Sequence, residues 1–241
     1  MDARGSFLLC EHLLFSAILR QHNDMESVVI DVGGNAGVFT NLFASFPNVG
    51  QVYTFEASPK TFKRLQASVC VNDNVRKVHL FNCGVSEKDE IINLSHLWHS
   101  GQTTRVATGG DVRVPSHPMD AVLLDKVKNH GHALAKAPVL MKLDCEGCEL
   151  GALQGATRML RKYPPKYIFF EYTSGDPKDF LNILHANDYR VYRLGPLDCK
   201  YRDVYKSIYD EEVRDETALL RLHEFIAVHK SNTRLLDLNI A

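Results

Sequence analysis

The decisive stretch of the sequence is Ser27-Val28-Val29-Ile30-Asp31-Val32-Gly33-Gly34-Asn35-Ala36-Gly37, which is followed by Val52-Tyr53-Thr54-Phe55-Glu56. In both segments an apolar run leads into an acid, and a glycine-rich turn follows the first run. This pattern is typical of a parallel sheet that holds a nucleoside-bearing ligand at the carboxyl ends of its strands. Glycine lets the backbone approach such a ligand where a side chain would collide with it.

The spacing of the glycines indicates which cofactor the turn would accept. Dinucleotide sites use Gly-x-Gly-x-x-Gly, whereas this turn contains Asp31-x-Gly33-x-x-x-Gly37. An acid at the turn suits a cationic ligand, such as the amino and sulfonium groups of S-adenosylmethionine (SAM), better than a pyrophosphate. Glu56 is placed to accept hydrogen bonds from both ribose hydroxyls. We therefore predict a cofactor site formed by Asp31, Gly33, Gly34, Asn35, Gly37, Glu56 and Ala57. The alternative is a tight strand–helix connection without a ligand.

Composition limits the class of protein. The chain has 241 residues, of which 45% are hydrophobic, and its formal net charge is −1. This is enough for one well-buried α/β domain, and the balanced charge makes nucleic acid an unfavourable main substrate. Six scattered cysteines are interpreted as buried thiols in a reducing, cytoplasmic compartment.

The N-terminal stretch is apolar but is interrupted by Glu11 and His12. It contains no small-residue cleavage site, so we expect no signal peptide, and no apolar run approaches membrane-spanning length. We predict a helical extension over residues 1–26, acting as a lid or an arm, and a single domain over residues 27–241.

Alternating apolar and amphipathic segments predict an α/β fold. Strands are expected at 27–33, 52–57, 78–85, 139–144, 167–172, 189–194 and 223–229. Helices are expected at 37–46, from 58 onward, at 119–129, at 148–161 and at 177–186. In the first of them, Val38, Leu42 and Phe46 are spaced along one face. A polar hairpin excursion occupies 86–118. The order implies a mostly parallel sheet with helices on both faces and an antiparallel edge pair.

Four blocks of sequence together resemble a known family. They are Val29–Gly37, Phe55–Pro59, Gly84-Val85-Ser86, and Met141-Lys142-Leu143-Asp144-Cys145-Glu146-Gly147-Cys148-Glu149. Their order and spacing are similar to those of the FkbM family of SAM-dependent methyltransferases, from about residue 27 to about residue 230. The resemblance implies a seven-stranded, Rossmann-like class I methyltransferase fold and methylation of hydroxyl groups on sugars or other small molecules. It also places Gly84 and Val85 beside the adenine, although both residues also fit an ordinary turn.

Acidic residues gather where the fourth predicted strand ends. Asp144, Glu146 and Glu149 follow that strand, and Glu171 ends the next. They could orient sugar hydroxyls, accept a proton or hold a divalent metal, although we do not predict a metal. Asp144 is also counted with the cofactor residues. Alternatively, Glu146 and Glu149 simply favour a helix N-terminus.

Transfer of a methyl group to an alcohol requires that the alcohol lose its proton. The candidate bases are Asp144, Glu146 and a histidine of the excursion, and Glu171 is a further catalytic candidate that faces the substrate or supports the acidic cluster. His96, His99 and His117 are the possible histidines. His99 is favoured because it lies near Gly101-Gln102-Thr103, in the loop that we expect over the site.

The pair Cys145-x-x-Cys148 departs from the resembled family, which more often has Val and a small residue here. No second cysteine pair lies nearby in the sequence, so a zinc site lacks ligands. We interpret both as small residues that suit a buried turn, in preference to a redox role. The segment 95–118 is also idiosyncratic, so the family's acceptors are not carried over.

Four hypotheses of function remain. The first is a SAM-dependent O-methyltransferase acting on a sugar or small molecule. The second is a catalytically silent SAM-binding regulatory module. Such a module would have little reason to keep both Asp144 and Glu146 at the mouth of the site. A nicotinamide dehydrogenase conflicts with the glycine spacing, and methylation of RNA or protein is the fourth. The sequence does not address the oligomeric state.

Overall fold

The computed structural model describes residues 3–22, 26–96, 104–106, 110, 112–126, 134–194, 212–213, 219 and 224–232. Eleven strands lie within these residues: β1 (Ser27–Val32), β2 (Val49–Phe55), β3 (Val78–Phe81), β4 (Gly84–Val85), β5 (Glu90–His96), β6 (Thr104–Val106), β7 (Val112–His117), β8 (Leu140–Leu143), β9 (Tyr167–Glu171), β10 (Tyr189–Arg193) and β11 (Glu224–His229). The helices of the same residues are α1 (Ala3–Gln21), α2 (Val38–Ser45), α3 (Pro59–Val71), a π-helical segment (Ala121–Lys126), α4 (Glu149–Gln154), α5 (Thr157–Lys162) and α6 (Pro177–Ala186).

Seven of these strands form the main sheet in the order β10-β11-β9-β8-β1-β2-β3. Strands β9, β8, β1, β2 and β3 are parallel, and β11 runs antiparallel to both β9 and β10. The expected mostly parallel sheet with an antiparallel edge pair is confirmed. All six residues of β1 are buried, because both faces of a central parallel strand are covered. The strand therefore shows a run of apolar residues over Val28–Ile30 instead of alternation.

The excursion between β3 and β8 builds a second sheet in the order β4-β7-β5-β6. The segment 78–85, predicted as a strand with its exit turn, contributes two strands, since β3 belongs to the main sheet and β4 pairs with β7. Strands β5 and β7 form the expected hairpin-like antiparallel pair. This second sheet leaves the main sheet on the side where the carboxyl ends of the parallel strands lie.

Two helix predictions need correction. The single helix expected at 148–161 is two helices, α4 and α5, which are separated at Gly155 and Ala156. A carboxylate from outside begins the second one: Asp120 accepts hydrogen bonds from the backbone N–H groups of Arg158 at 2.7 Å and Met159 at 2.9 Å. This cap satisfies N–H groups that an interrupted helix would otherwise leave unpaired.

The buried face of α2 also differs from the prediction. Val38, expected on the inner face with Leu42 and Phe46, is 61% exposed, while Leu42 and Phe46 are only partly buried. Phe39 and Phe43 are buried instead. The two aromatic rings bury more apolar area than the predicted face would, and tertiary packing therefore sets the rotation of this short helix.

Helix α1 packs on the sheet as part of its core. Leu14, Phe15, Ile18 and Leu19 are completely buried. The ring of Phe15 makes edge contacts with Phe39 of α2 and Phe169 of β9, at centroid distances of 5.1 and 5.0 Å. In the part of the chain that the structure describes, none of the helices has the length and apolar character needed to cross a bilayer.

Replacing Phe15 with alanine should lower the free energy of unfolding by about 3–5 kcal/mol, because it opens a cavity between the helix and the sheet. Val38→Ala, on an exposed side chain, should change it by about 0.5 kcal/mol or less. Urea unfolding followed by circular dichroism measures both. Equal stabilities of Phe15→Ala and the wild type would mean that α1 is a detachable arm.

Candidate active site

A cleft opens where the carboxyl ends of β1, β2 and β8 meet the second sheet. Its empty volume is about 770 Å³, including the part that is open to solvent. It is lined by Val32, Gly33, Asn35, Phe55, Glu56, Ala57, Ser58, Thr61, Cys83, Gly84, Val85, Ile92, Leu94, Asp144, Cys145, Glu146 and Cys148. The main sheet contributes most of the polar groups, and the second sheet contributes the apolar side chains of Ile92 and Leu94.

The glycine turn after β1 forms the floor of the cleft. Gly33 has φ +85°, and a Cβ atom there would overlap the carbonyl oxygen of Asp144. Only glycine allows β1 and β8 to approach so closely at this point. Gly34 and Gly37 lie behind the lining: the N–H of Gly34 donates to the Phe55 carbonyl oxygen, and Gly37 begins α2 with φ +92°. They shape the turn from which Gly33 and Asn35 reach the cleft.

The carboxylate of Glu56 marks one end of the cleft. It accepts a hydrogen bond from the backbone N–H of Asn35 at 2.9 Å on one oxygen and from that of Ser58 at 2.9 Å on the other. Burial raises the pKa of Glu56, while these two hydrogen bonds act to lower it. Each carboxylate oxygen keeps a further lone pair. The side chain is thus held in one orientation and can still accept hydrogen bonds from a ligand.

An ion triad extends from beneath the floor to the cleft, and its members Lys142 and Asp31 are buried. The ammonium of Lys142 is 2.8 Å from Asp144 Oδ2 and 3.8 Å from Asp31 Oδ1, and Thr40 donates to Asp31 Oδ2 at 2.6 Å. Burial by itself would lower the pKa of Lys142, but Asp144 and Asp31 outweigh it and raise the pKa. Asp31, predicted as a cofactor residue, is completely buried and is not among the lining residues. Asp31 is connected to the cleft by its ion pair with Lys142, which in turn contacts Asp144.

The turn between β8 and α4 carries Asp144 and Glu146 into the cleft. The carboxylate of Glu149 accepts hydrogen bonds from the N–H groups of Cys145 at 3.2 Å and Gly147 at 3.1 Å, and from the Thr173 hydroxyl at 2.8 Å. These contacts agree with the alternative considered above, in which Glu149 serves the N-terminus of its helix.

The same turn overturns part of the cysteine prediction. Cys145 and Cys148 form a disulfide, whereas the sequence suggested thiols. The turn brings their Cα atoms to 5.6 Å, within the range that a disulfide bridges. Composition alone cannot reveal this proximity.

A row of carboxyl groups extends from Asp144 away from the glycine turn. Asp144 follows Leu143, which pairs in register with Phe170, so that Glu171 comes next to it on β9. Glu224 on β11 pairs directly with Glu171. We name Asp144, Glu171 and Glu224 the carboxyl row. Glu11 of α1 is buried and interacts electrostatically with Lys142 and Asp144.

The carboxyl row has unusual proton affinities. Burial, with Asp144 and Glu146 nearby, raises the pKa of Glu171 to about 7. Burial, reinforced by Glu11 and Glu171, raises that of Glu224 to about 9. Burial also raises the pKa of Glu11 to about 7. Closely spaced acids cannot all ionise at neutral pH, and Glu171, Glu224 and Glu11 therefore hold protons under conditions in which a solvated carboxyl group would not.

The structure brings together most of the predicted site residues. Those that line the cleft are Gly33, Asn35, Glu56, Ala57, Gly84, Val85, Asp144 and Glu146. Glu171 lies next to Asp144 in the carboxyl row, outside the lining. His99 lies outside the described residues, as does the side chain of His96, and His117 pairs with Asp89.

Sequence reasoning missed Glu11, Glu224, Ile92 and Leu94. The acids of the last strand and the N-terminal helix carry no motif, and only the alternation of β5 hinted that Ile92 and Leu94 share one face. No group of three or more side chains with metal-binding geometry is found in the described ranges.

A mostly parallel seven-stranded sheet with an antiparallel edge pair and a cleft at the strand ends defines the class I methyltransferase fold. Residues 31–191 match the methyltransferase FkbM domain family. Since this match covers more than half of the chain, the protein belongs to the FkbM methyltransferase family.

Individual relatives are more distant. The chain is 27% identical over 146 residues to "Methyltransferase 1" of Beauveria bassiana, covering 54% of this chain and 58% of that protein. It is 26% identical over 168 residues to the "Hexuronic acid methyltransferase AglP" of Haloferax volcanii, covering 69% and 65%. It thus spans about three-fifths of the length of these curated relatives. The crystal structure of an FkbM methyltransferase from Methylobacillus flagellatus KT has the same fold, with a TM-score of 0.52 and 19% identity over 86% of this chain and 44% of that one.

Glu224→Gln should stabilise the protein increasingly as the pH rises. The pKa of Glu224 is raised from 4.5 to about 9. The contribution of Glu224 to the free energy of unfolding is therefore complete below pH 4.5 and is lost as the pH rises through about 9. The neutral amide removes this loss. The stability gain should therefore grow between pH 5 and 9 by at most about 1.4 kcal/mol per pH unit.

Urea unfolding at pH 5, 7 and 9 measures this difference, with the exposed Glu87→Gln as the matched control. Stability curves that run parallel for wild type and Glu224→Gln would show that Glu224 ionises normally.

Proposed function

We propose that this protein is a SAM-dependent methyltransferase that methylates a hydroxyl group on a sugar or another small molecule. The observation that carries the proposal is the continuity of one cleft with two chemically different ends. One end has the fixed carboxylate of Glu56, and the glycine turn forms the floor. The other end has Asp144, from which the carboxyl row continues. Membership of the FkbM methyltransferase family supports the same activity.

The residues of the cleft fit the proposed cofactor. Gly33 lines the cleft without a side chain, and Glu56 presents lone pairs suited to two ribose hydroxyls. Gly84, Val85, Ile92 and Leu94 provide an apolar wall suited to a flat base. Asp144 adds negative charge for the cationic part of the ligand. When bound, SAM would supply an electrophilic methyl group on a sulfonium.

Glu56→Ala should weaken binding of SAM or S-adenosylhomocysteine by about 1–3 kcal/mol, since it removes charge-assisted hydrogen bonds. Isothermal titration measures the two dissociation constants, and Glu87→Ala serves as an exposed control. Unchanged affinity in a folded Glu56→Ala protein would remove Glu56 from the site. A folded wild-type protein that binds neither compound would refute the proposed cofactor.

On the acceptor side, Glu171 is our proposed general base, with Asp144 and Glu146 orienting the acceptor. Its pKa of about 7 lies near the operating pH, where a base combines availability with proton affinity. Asp144 is held in place by Lys142 at 2.8 Å, which suits it to orienting the acceptor. Alignment of the acceptor oxygen by such fixed groups supplies much of the catalysis in a displacement reaction.

The carboxyl row supports a neutral, polyhydroxylated acceptor. Carboxylates accept hydrogen bonds from hydroxyl groups, whereas they repel the phosphates that nucleic-acid binding requires cations to neutralise. Lys142, the ammonium at this place, is already engaged by Asp144 and Asp31. The relative named for hexuronic acid methylation supports a sugar as the acceptor class, and the carboxyl groups of the row, which hydrogen-bond to hydroxyl groups, suit an uncharged sugar.

We also propose a cytoplasmic location. Cys70 is exposed and carries a thiol, as is common in compartments that keep thiols reduced. In such a compartment the disulfide between Cys145 and Cys148 would be open to exchange with cellular dithiols.

Glu171→Gln should lower kcat by about 10²–10⁴-fold, the range for loss of a general base. In the wild type, turnover should rise with pH as Glu171 loses its proton near pH 7 and level off above it. The glutamine variant should lose that rise. Formation of S-adenosylhomocysteine with a panel of neutral sugars, measured between pH 5.5 and 9, tests both expectations.

Two controls separate catalysis from folding. Glu87→Gln should keep the wild-type profile, and Glu171→Gln should bind S-adenosylhomocysteine as the wild type does. A glutamine variant that retains both kcat and the pH profile would exclude Glu171 as the base.

A further inference from the structure

The disulfide between Cys145 and Cys148 crosses the turn that carries the acids of the cleft. It closes a ring over Glu146 and Gly147. Both cysteines line the cleft, as do Asp144 before them and Glu146 between them. A change in this bond therefore acts directly on the wall of the site.

The turn adopts a backbone conformation that needs support. Glu146 has φ +57° and Gly147 has φ +109°, and a left-handed conformation is unfavourable for a residue with a side chain such as Glu146. Besides the disulfide, the support includes the hydrogen bonds to Glu149 described above and one from the Ser174 hydroxyl to the Gly147 carbonyl oxygen at 3.3 Å. The covalent bridge is the part of this support that a chemical reaction can remove.

The bridge is within reach of solvent. Cys145 and Cys148 are both partly exposed, and they face a cleft that opens to the surface. This position differs from that of a structural disulfide enclosed in a core, which reductants reach only when the protein unfolds.

We infer that Cys145–Cys148 is a redox-active disulfide whose state sets the affinity of the cleft for its ligand. A dithiol reductant is the reaction partner. Its thiolate attacks one cysteine sulfur, so that a mixed disulfide forms and the other cysteine leaves as a thiolate. The second reductant thiol then breaks the mixed disulfide. The reductant ends as a disulfide, and two electrons and two protons pass to Cys145 and Cys148.

Reduction should weaken ligand binding. The oxidised turn holds Glu146 in the conformation seen in the cleft, and a preorganised site loses less entropy on binding. Opening the ring lets Glu146 leave the left-handed region before a ligand arrives. From the chain-entropy effect of a small ring, we expect the dissociation constant to rise about tenfold.

The test compares oxidised and reduced wild-type protein. After treatment with oxidised or reduced dithiothreitol and confirmation of the bridge by peptide mass mapping, the affinity for S-adenosylhomocysteine is measured by isothermal titration. Hydrogen exchange of the peptide spanning 142–150 is measured in parallel, because it requires no ligand. We expect weaker binding and faster exchange in the reduced protein.

Two variants sharpen the comparison. The double variant Cys145→Ser/Cys148→Ser should bind like the reduced wild type and should not respond to the reductant. Cys70→Ser, on the exposed face of α3, should respond as the wild type does. Absence of the bridge after oxidation, or equal exchange and affinity in both states, would overturn the inference.

The inference rests on the proposed function only for the binding measurement. If neither state binds S-adenosylhomocysteine, the proposed cofactor is wrong. Hydrogen exchange of the peptide spanning 142–150 still tests the redox inference. Unchanged exchange overturns the inference, and faster exchange on reduction supports it for whatever ligand the cleft holds.

Discussion

The site depends on one buried ammonium group. Lys142 lies between Asp31 of β1 and Asp144 at the end of β8, where the two strands pair in register. A buried charge is tolerated when it is paired and hydrogen-bonded, and here each charge depends on the others. The triad holds Asp144 at the edge of the cleft, at the same place where the backbone of Gly33 passes against the Asp144 carbonyl.

From this point the cleft and the carboxyl row extend in opposite directions. Toward β2 lie the glycine turn and Glu56, whose carboxylate is oriented by backbone N–H groups. Toward β9 and β11 lie Glu171 and Glu224, whose raised pKa values follow from burial among other acids. The sheet thus places a fixed acceptor of hydrogen bonds on one side and proton-holding groups on the other. A transfer reaction to an alcohol uses both properties.

The sequence analysis predicted the main sheet, its antiparallel edge and about half of the lining residues, because apolar runs and glycine turns are local signals. It failed where packing decides. Phe15 of α1, rather than the apolar spacing of α2, sets which face of α2 is buried. The long helix expected at 148–161 is divided because Asp120, distant in the chain, caps α5. The disulfide at Cys145 depends on the turn geometry and was likewise missed.

The sequence by itself determined the order of strands and helices, the glycine turn and the acids that end β2 and β8, since each depends on residues within a few positions of one another. The tertiary structure decided the roles of these acids. Asp31 became a buried partner of Lys142, and Glu11 and Glu224 joined the site from opposite ends of the chain. Proton affinity depends on burial and on charges nearby in space, and strands far apart in sequence supply both only when they pair.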